Sequence, residues 1–238
     1  MASGDTPGSR ECVNTMGTFI PISQTALSTF QNCPRMFEGR YVTKEAVFEP
    51  SEAVDDGNRL HRALEFRIRD EVSLPQEFAH LEWLGRTLDV LRRRAVIEVE
   101  HWMAVDRQMQ PCAHNAKAKY LQGKDDCTVL MDERAVTFDW KSGKLRRDVQ
   151  QLEIQALLTF AHYPQVQVID SALVFLNAGQ MVPFRAQRST FHPVHLVTEF
   201  ERYEAVQASG RYSPTPCGLC RAHCPVLSCV HNGRHIGK

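Results

Sequence analysis

Three charged side chains define the chemistry open to this chain. Asp139 and Lys141 close the run Ala135-Val-Thr-Phe-Asp139-Trp-Lys141, and Asp126 stands thirteen residues before Asp139. A β-branched and aromatic run of this kind predicts a buried strand. Residues two apart on a strand share a face, so Asp139 and Lys141 project together. Gly123-Lys-Asp-Asp126 falls in the strand expected before it and supplies a second carboxylate. Asp125 competes for that role. The Gly-x-x-Asp frame selects Asp126, and on an ideal strand Asp125 faces the opposite side. Two carboxylates a few ångströms apart bind Mg²⁺ or Mn²⁺, hard ions that prefer oxygen ligands. Such an ion polarises a phosphate ester and acidifies water, while a lysine orients that water or stabilises developing charge. The chemistry indicated is metal-assisted phosphodiester hydrolysis. The plain reading of Asp-x-Lys alone is a salt-bridged strand end.

Two further polar residues belong to the same expectation. Gly57-x-x-x-His61-x-x-x-Glu65 puts His61 on one helical face with Gly57 and Glu65, where it can act as a third metal ligand. Gln151, at the start of the helix expected after Lys141, can bond DNA or a site water.

A second constellation is made of thiols. Of eight cysteines, four stand in Cys217-Gly-Leu-Cys220-Arg-Ala-His-Cys224-Pro-Val-Leu-Ser-Cys229. In a reducing compartment such a set holds metal rather than disulfides. Four thiolates accept Zn²⁺ or an iron–sulfur cluster, and ligand type does not separate the two. The tail can hold a zinc by itself, or Cys33, in Asn-Cys-Pro-Arg, can supply one ligand and the tail three. Cys12, Cys112 and Cys127 read as bystanders.

The elements that must position these residues follow from periodicity. A helix capped by Ser23 is expected over 22–30, broken at Cys33-Pro34, and another from a cap at Ser51 to about Asp70. Phe78, Leu81, Leu84, Leu88 and Leu91 predict a helix over 77–94. Strands are expected over 96–105 (with loose alternation), 118–132 and 134–140. A helix over 151–162, strands over 166–177 and 181–186, and a helix over 191–207 follow, then an irregular tail. The order predicts an α/β fold with a central mixed sheet flanked by helices. Residues 1–17 read as a disordered leader and 18–238 as one domain.

Lys plus Arg and Asp plus Glu number 28 each, which excludes a polybasic binder. The cluster Lys141, Lys144, Arg146 and Arg147 adjoins the carboxylates and can contact phosphates. No apolar run approaches the roughly 20 residues that span a bilayer, so a cytoplasmic protein without membrane contact is expected. No Gly-x-x-x-x-Gly-Lys-Ser/Thr loop is present, so ATP-driven unwinding through that motif is excluded.

Taken together, Ser28-x-Phe30-x-x-Cys33-Pro34, Gly57-x-x-x-His61-x-x-x-Glu65, Gly123-x-x-Asp126, Asp139-Trp-Lys141-x-Gly143, Gln151-Leu152 and the terminal cysteines resemble the iron–sulfur branch of the PD-(D/E)xK nucleases. That branch includes RecB-like exonucleases, the AddB nuclease domain and CRISPR-associated spacer-trimming nucleases. The motifs occur in the family's order over roughly residues 20–230. The resemblance implies a restriction-endonuclease-like sheet and DNA cleavage dependent on Mg²⁺ or Mn²⁺. It also implies a 4Fe–4S cluster joining the N- and C-terminal segments. His61, Asp126 and Asp139 become metal ligands, Lys141 the catalytic lysine, Gln151 the motif glutamine and Cys33 the early cluster ligand. Cys220, Cys224 and Cys229 complete the cluster, with Cys217 competing. The chain departs from the family at Gln155, where a tyrosine is common, and in having four late cysteines for three places. The expected protein is a standalone exonuclease on single-stranded DNA or DNA ends, of a kind a virus would encode, working with a replication or recombination partner. The alternative is a non-catalytic nucleic-acid-binding module with a structural zinc, in which the charged residues do not converge.

Overall fold

The computed structural model describes residues 19–46 and 52–234. The leader over 1–17, Cys12 and the Ser51 cap lie outside the described residues. Helix α1 (Gln24–Asn32) starts at Ser23, whose Oγ accepts from the Ala26 amide at 3.2 Å. It stops at Cys33, where the backbone is extended (φ −165°), as the residue before a proline prefers. Pro34 then opens the short α2 (Pro34–Phe37) at a position where its missing N–H costs nothing. A π-helical turn, Glu38–Val42, follows.

Helix α3 (Glu52–Asp70) buries Leu60, Leu64 and Ile68, one residue per turn, against the sheet. The single helix expected over 77–94 is divided into a 3₁₀ segment, Gln76–Leu81, and α4 (Glu82–Leu91). The spacing explains it. Phe78, Leu81 and Leu84 recur every third residue, the 3₁₀ period, whereas Leu84 and Leu88 are an α-helical step apart.

Five strands, β1 (Val96–Val105), β2 (Leu121–Met131), β3 (Arg134–Lys141), β4 (Val168–Phe175) and β5 (Gln180–Gln187), lie in sequence order in one sheet. β1–β2, β2–β3 and β4–β5 pair antiparallel, while β3–β4 pair parallel. The parallel step requires a crossover, provided by α5 (Gln150–His162). The mixed sheet flanked by helices is therefore the architecture found. One face carries α5, α1 and α6 (Val194–Ser209) around Phe30, Leu158 and Tyr203; the other carries α3 and α4 around Leu64, Cys127 and Trp140. Among the described residues of the tail, α7 (Cys220–His223) is the one regular helix.

Candidate active site

The candidate site lies where β2 and β3 part. Their ladder ends at Cys127↔Phe138. Beyond it, the Asp126 carboxylate takes the place of a ladder carbonyl, its Oδ2 accepting from the Trp140 amide at 2.7 Å. Asp139 and Lys141 thus emerge from β3 beside Asp126. Gly123 has a packing reason, since a Cβ there would stand 2.7 Å from Leu158 Cδ1 on α5.

Lys141 Nζ lies 2.5 Å from Asp139 Oδ2 and donates to Gln151 Oε1 at 2.9 Å. Gln151 Nε2 in turn donates to Asp139 Oδ1. Gln151 therefore ties the lysine to the carboxylate. Asp139 is 3% exposed. Burial, then the charge of Asp126, raises its pKa to about 6, against the pull of Lys141.

Helix α3 delivers His61 from the other side, Nδ1 being 3.3 Å from Asp126 Oδ1. Burial opposes charging of His61, but Asp126, Asp139 and Glu100 overcome it and its pKa is raised. Glu65, one turn on, is not part of the site; it pairs with Arg69 at 2.5 Å.

Glu100 was not anticipated. Its Oε1 lies 4.0 Å from His61 Nδ1, and one donor atom each of His61, Glu100 and Asp126 lie within 4.8 Å of one another. Lys124 Nζ pairs with its other oxygen. Glu100 occupies a left-handed conformation (φ 53°) in the middle of β1, opposite Asp126 between the pairs Val99↔Cys127 and His101↔Asp125. The strand changes face there. Ile97 and Val99 pack with α3, whereas Met103 and Val105 pack with α5, although all four are odd-numbered. The sequence signal was the loose alternation of 96–105.

A set of one imidazole and several carboxylates fits a divalent cation of the Mg²⁺ or Mn²⁺ type. A buried Asp139 whose ionisation is disfavoured by Asp126 is the arrangement such a cation relieves. Asp125 is separate from this set. It is fully buried, accepts from Thr128 Oγ1 at 2.9 Å, and burial raises its pKa to about 8.

The thiols lie elsewhere. Cys33 Sγ accepts from the Thr215 amide at 3.4 Å, joining the N-terminal segment to the tail. Cys217 and Cys220 have their sulfurs 3.8 Å apart. Asn232, fully buried, donates to the carbonyls of Cys224 and Val226, at 2.9 and 3.0 Å, and shapes the turn leading to Cys229. Among the described residues no three thiols bring their sulfurs within 4.8 Å of one another. Cys127 is a buried core thiol with its pKa pushed up to about 12.

His61, Asp126, Asp139, Lys141 and Gln151 therefore meet, against the expectation of the binding-module alternative. A family model described as "PD-(D/E)XK nuclease superfamily" matches residues 21–229. No curated protein matches significantly. The solved structure "Crystal structure of SSO0001" is similar with a TM-score of 0.46 and 15% identity, covering 86% of this chain and 84% of that one. No helix of the described residues is long and apolar enough to cross a membrane.

Proposed function

The chain belongs to the PD-(D/E)XK nuclease superfamily, and from that premise we propose that it is a DNA exonuclease acting on single strands or DNA ends. The observation that carries the reading is the convergence of His61, Asp126, Asp139, Lys141 and Gln151 at the parting of β2 and β3. His61, Asp126, Asp139 and Glu100 would hold Mg²⁺ or Mn²⁺. When bound, the ion supplies charge to polarise the scissile phosphate and acidify a water. Hydrolysis joins that water's oxygen to phosphorus and breaks one phosphate ester bond. Lys141 presents its ammonium to the phosphate oxygens and the incoming water. Gln151 fixes the lysine by accepting from Nζ and fixes Asp139 by donating to it. Exposed Lys144, Arg146 and Arg147, on the loop after β3, are available to the DNA backbone.

A 4Fe–4S cluster held by Cys33, Cys220, Cys224 and Cys229, with Cys217 as the competing ligand, is part of the same reading; Zn²⁺ is the alternative occupant. Its support is the approach of Cys33 to Thr215 and the neighbouring sulfurs of Cys217 and Cys220, 3.8 Å apart. The cluster's role is structural, as a clasp between the chain's two ends.

The test is anaerobic purification, iron and zinc analysis, and degradation of end-labelled linear, single-stranded and closed circular DNA with Mg²⁺ or Mn²⁺. Linear and single-stranded DNA should be degraded, and Lys141→Ala should lose roughly 10²–10³-fold, as when a charge-stabilising donor is removed. Cutting of closed circles alone would overturn the exonuclease reading. Zinc without iron would replace the cluster.

A further inference from the structure

Beside the metal-type residues the sheet carries an exposed aromatic that the cleavage chemistry does not use. Trp102 lies two residues past Glu100 on β1 and is 48% exposed. Its register partner on β2 is Lys124, two residues before Asp126. Met103 packs on the α5 side and a Cβ at Gly123 would meet α5, so Trp102 and Lys124 face the opposite side, that of His61. Lys124 links the two features directly. Its Nζ pairs with Glu100 and lies 5.9 Å from the centre of the Trp102 ring.

A second ring completes the surface. His114, exposed, stands with its ring centre 4.2 Å from that of Trp102. The loop presenting it is held in shape. Asp106 Oδ1 accepts from the amides of Gln108 and Gln110, both at 2.9 Å, and Lys119 Nζ donates to the His114 carbonyl at 2.5 Å. Large aromatics left half open on a sheet edge are costly to hydrate. Next to a cation and one strand step, about 7 Å, from a candidate metal ligand, they suit a π-faced, anionic polymer.

We propose that Trp102, with His114 and Lys124, seats a nucleobase of single-stranded DNA adjoining the scissile phosphate. The proposal rests on the reading of the site as a DNA nuclease, and it requires the seated base to be unpaired or at a strand end, because a base inside a duplex has both faces stacked on its neighbours. Lys124 meets the backbone phosphate beside the stacked base.

Binding of fluorescein-labelled oligothymidylate, followed by anisotropy with Ca²⁺ replacing Mg²⁺, tests it without cleavage. Trp102→Ala should weaken binding about tenfold (about 1.4 kcal/mol), within the range of one stacked base, and Trp102→Phe should restore most of it. Oligonucleotides with one abasic position, scanned along the strand, should include one that weakens wild type by a similar factor and Trp102→Ala hardly at all. Equal abasic penalties in both proteins at every position, or an alanine variant within twofold of wild type, would overturn the proposal. The two readings fail separately. Loss of Lys141-dependent cleavage with the abasic non-additivity intact would sink the nuclease, and the reverse would sink the platform.

Discussion

At the scale of single residues, the site separates two adjacent carboxylates by environment. Asp126 faces His61 and caps the Trp140 amide, whereas Asp125 is sealed in the core with its pKa raised by burial to about 8. A carboxyl that is neutral at pH 7 can be exchanged for an amide at little cost. Asp125→Asn should therefore keep cleavage within about fivefold of wild type and melt no lower, while Asp126→Asn should lose at least about 10²-fold in metal-dependent rate. Cleavage of end-labelled linear DNA and thermal melts of both variants decide it; the opposite pattern would exchange their roles. Glu100 gives a second residue-level contrast. Its left-handed backbone costs a non-glycine residue about 1–2 kcal/mol, an expense that its position beside the metal-type residues explains. In EDTA, Glu100→Gly should be more stable than Glu100→Gln by about 1 kcal/mol in urea unfolding, and both should need more Mn²⁺ for cleavage. The convergence of Asp126, Asp139, Lys141 and His61 was legible because strand and helix periods fix which way a side chain points, whereas the bridge that Gln151 makes between Lys141 and Asp139 was not. Glu100 was not, because a φ reversal is a property of tertiary strain and leaves only a break in alternation.

At the scale of elements, α3 and α4 are held together by an ion pair network that constrains both helices. Arg67, almost fully buried, donates from Nε to Glu82 at 2.6 Å and from Nη2 to Asp89 at 2.7 Å. Its guanidinium lies across Gly85, where a Cβ would come within 2.5 Å of Cζ. Helix propensity alone predicts that Gly85→Ala stabilises by up to about 1 kcal/mol. The steric argument predicts the reverse, a loss of about 1–3 kcal/mol, because Arg67 would have to leave its partners. Chemical unfolding of this one variant distinguishes the two. The same network sets an acid limit. The hydrogen bonds from Arg67 hold both Glu82 and Asp89 below their usual carboxylate range. A lowered folded pKa contributes stability that is full above the unfolded pKa, near 4, and is lost as pH falls through the folded value. Stability should therefore decline below about pH 4, and less steeply in Arg67→Met, whose unfolding midpoints from pH 7 to 2 provide the check. The helices and strands were largely readable from apolar spacing; the helix expected over 77–94 was not, because a three-residue step and a four-residue step look alike within one amphipathic run. The long-range partnership of Arg67 with Asp89 left no sequence signal at all.

At the scale of the whole molecule, the two ends of the described chain meet. Cys33 touches Thr215, Arg35 donates to Glu45 and to Ser228, both at 2.5 Å, and a Cβ at Gly39 would stand 2.7 Å from Val226. These contacts are few and mostly polar. They lie on α2 and the π-helical turn, where Phe37 and Tyr41 join the apolar cluster around Tyr203, but Cys33, Arg35, Gly39 and Val226 are not members of that cluster. Contacts of this kind hold an irregular tail weakly, since exposed polar pairs contribute at most about 1 kcal/mol each. A metal or cluster bound at Cys33 and the late cysteines would change that balance by closing a loop that contains most of the chain, removing several kcal/mol of entropy from the unfolded state. Cys33→Ser should then lower the melting temperature by about 10 °C and expose the 213–234 segment to protease, while the sheet stays protected from hydrogen exchange. The comparison that isolates the clasp is Cys112→Ser, which changes a thiol outside the cysteine-rich region and should leave melting and proteolysis as in wild type. If Cys33→Ser melts like Cys112→Ser, the two ends are joined by the polar contacts alone, and the thiols of the tail act without Cys33.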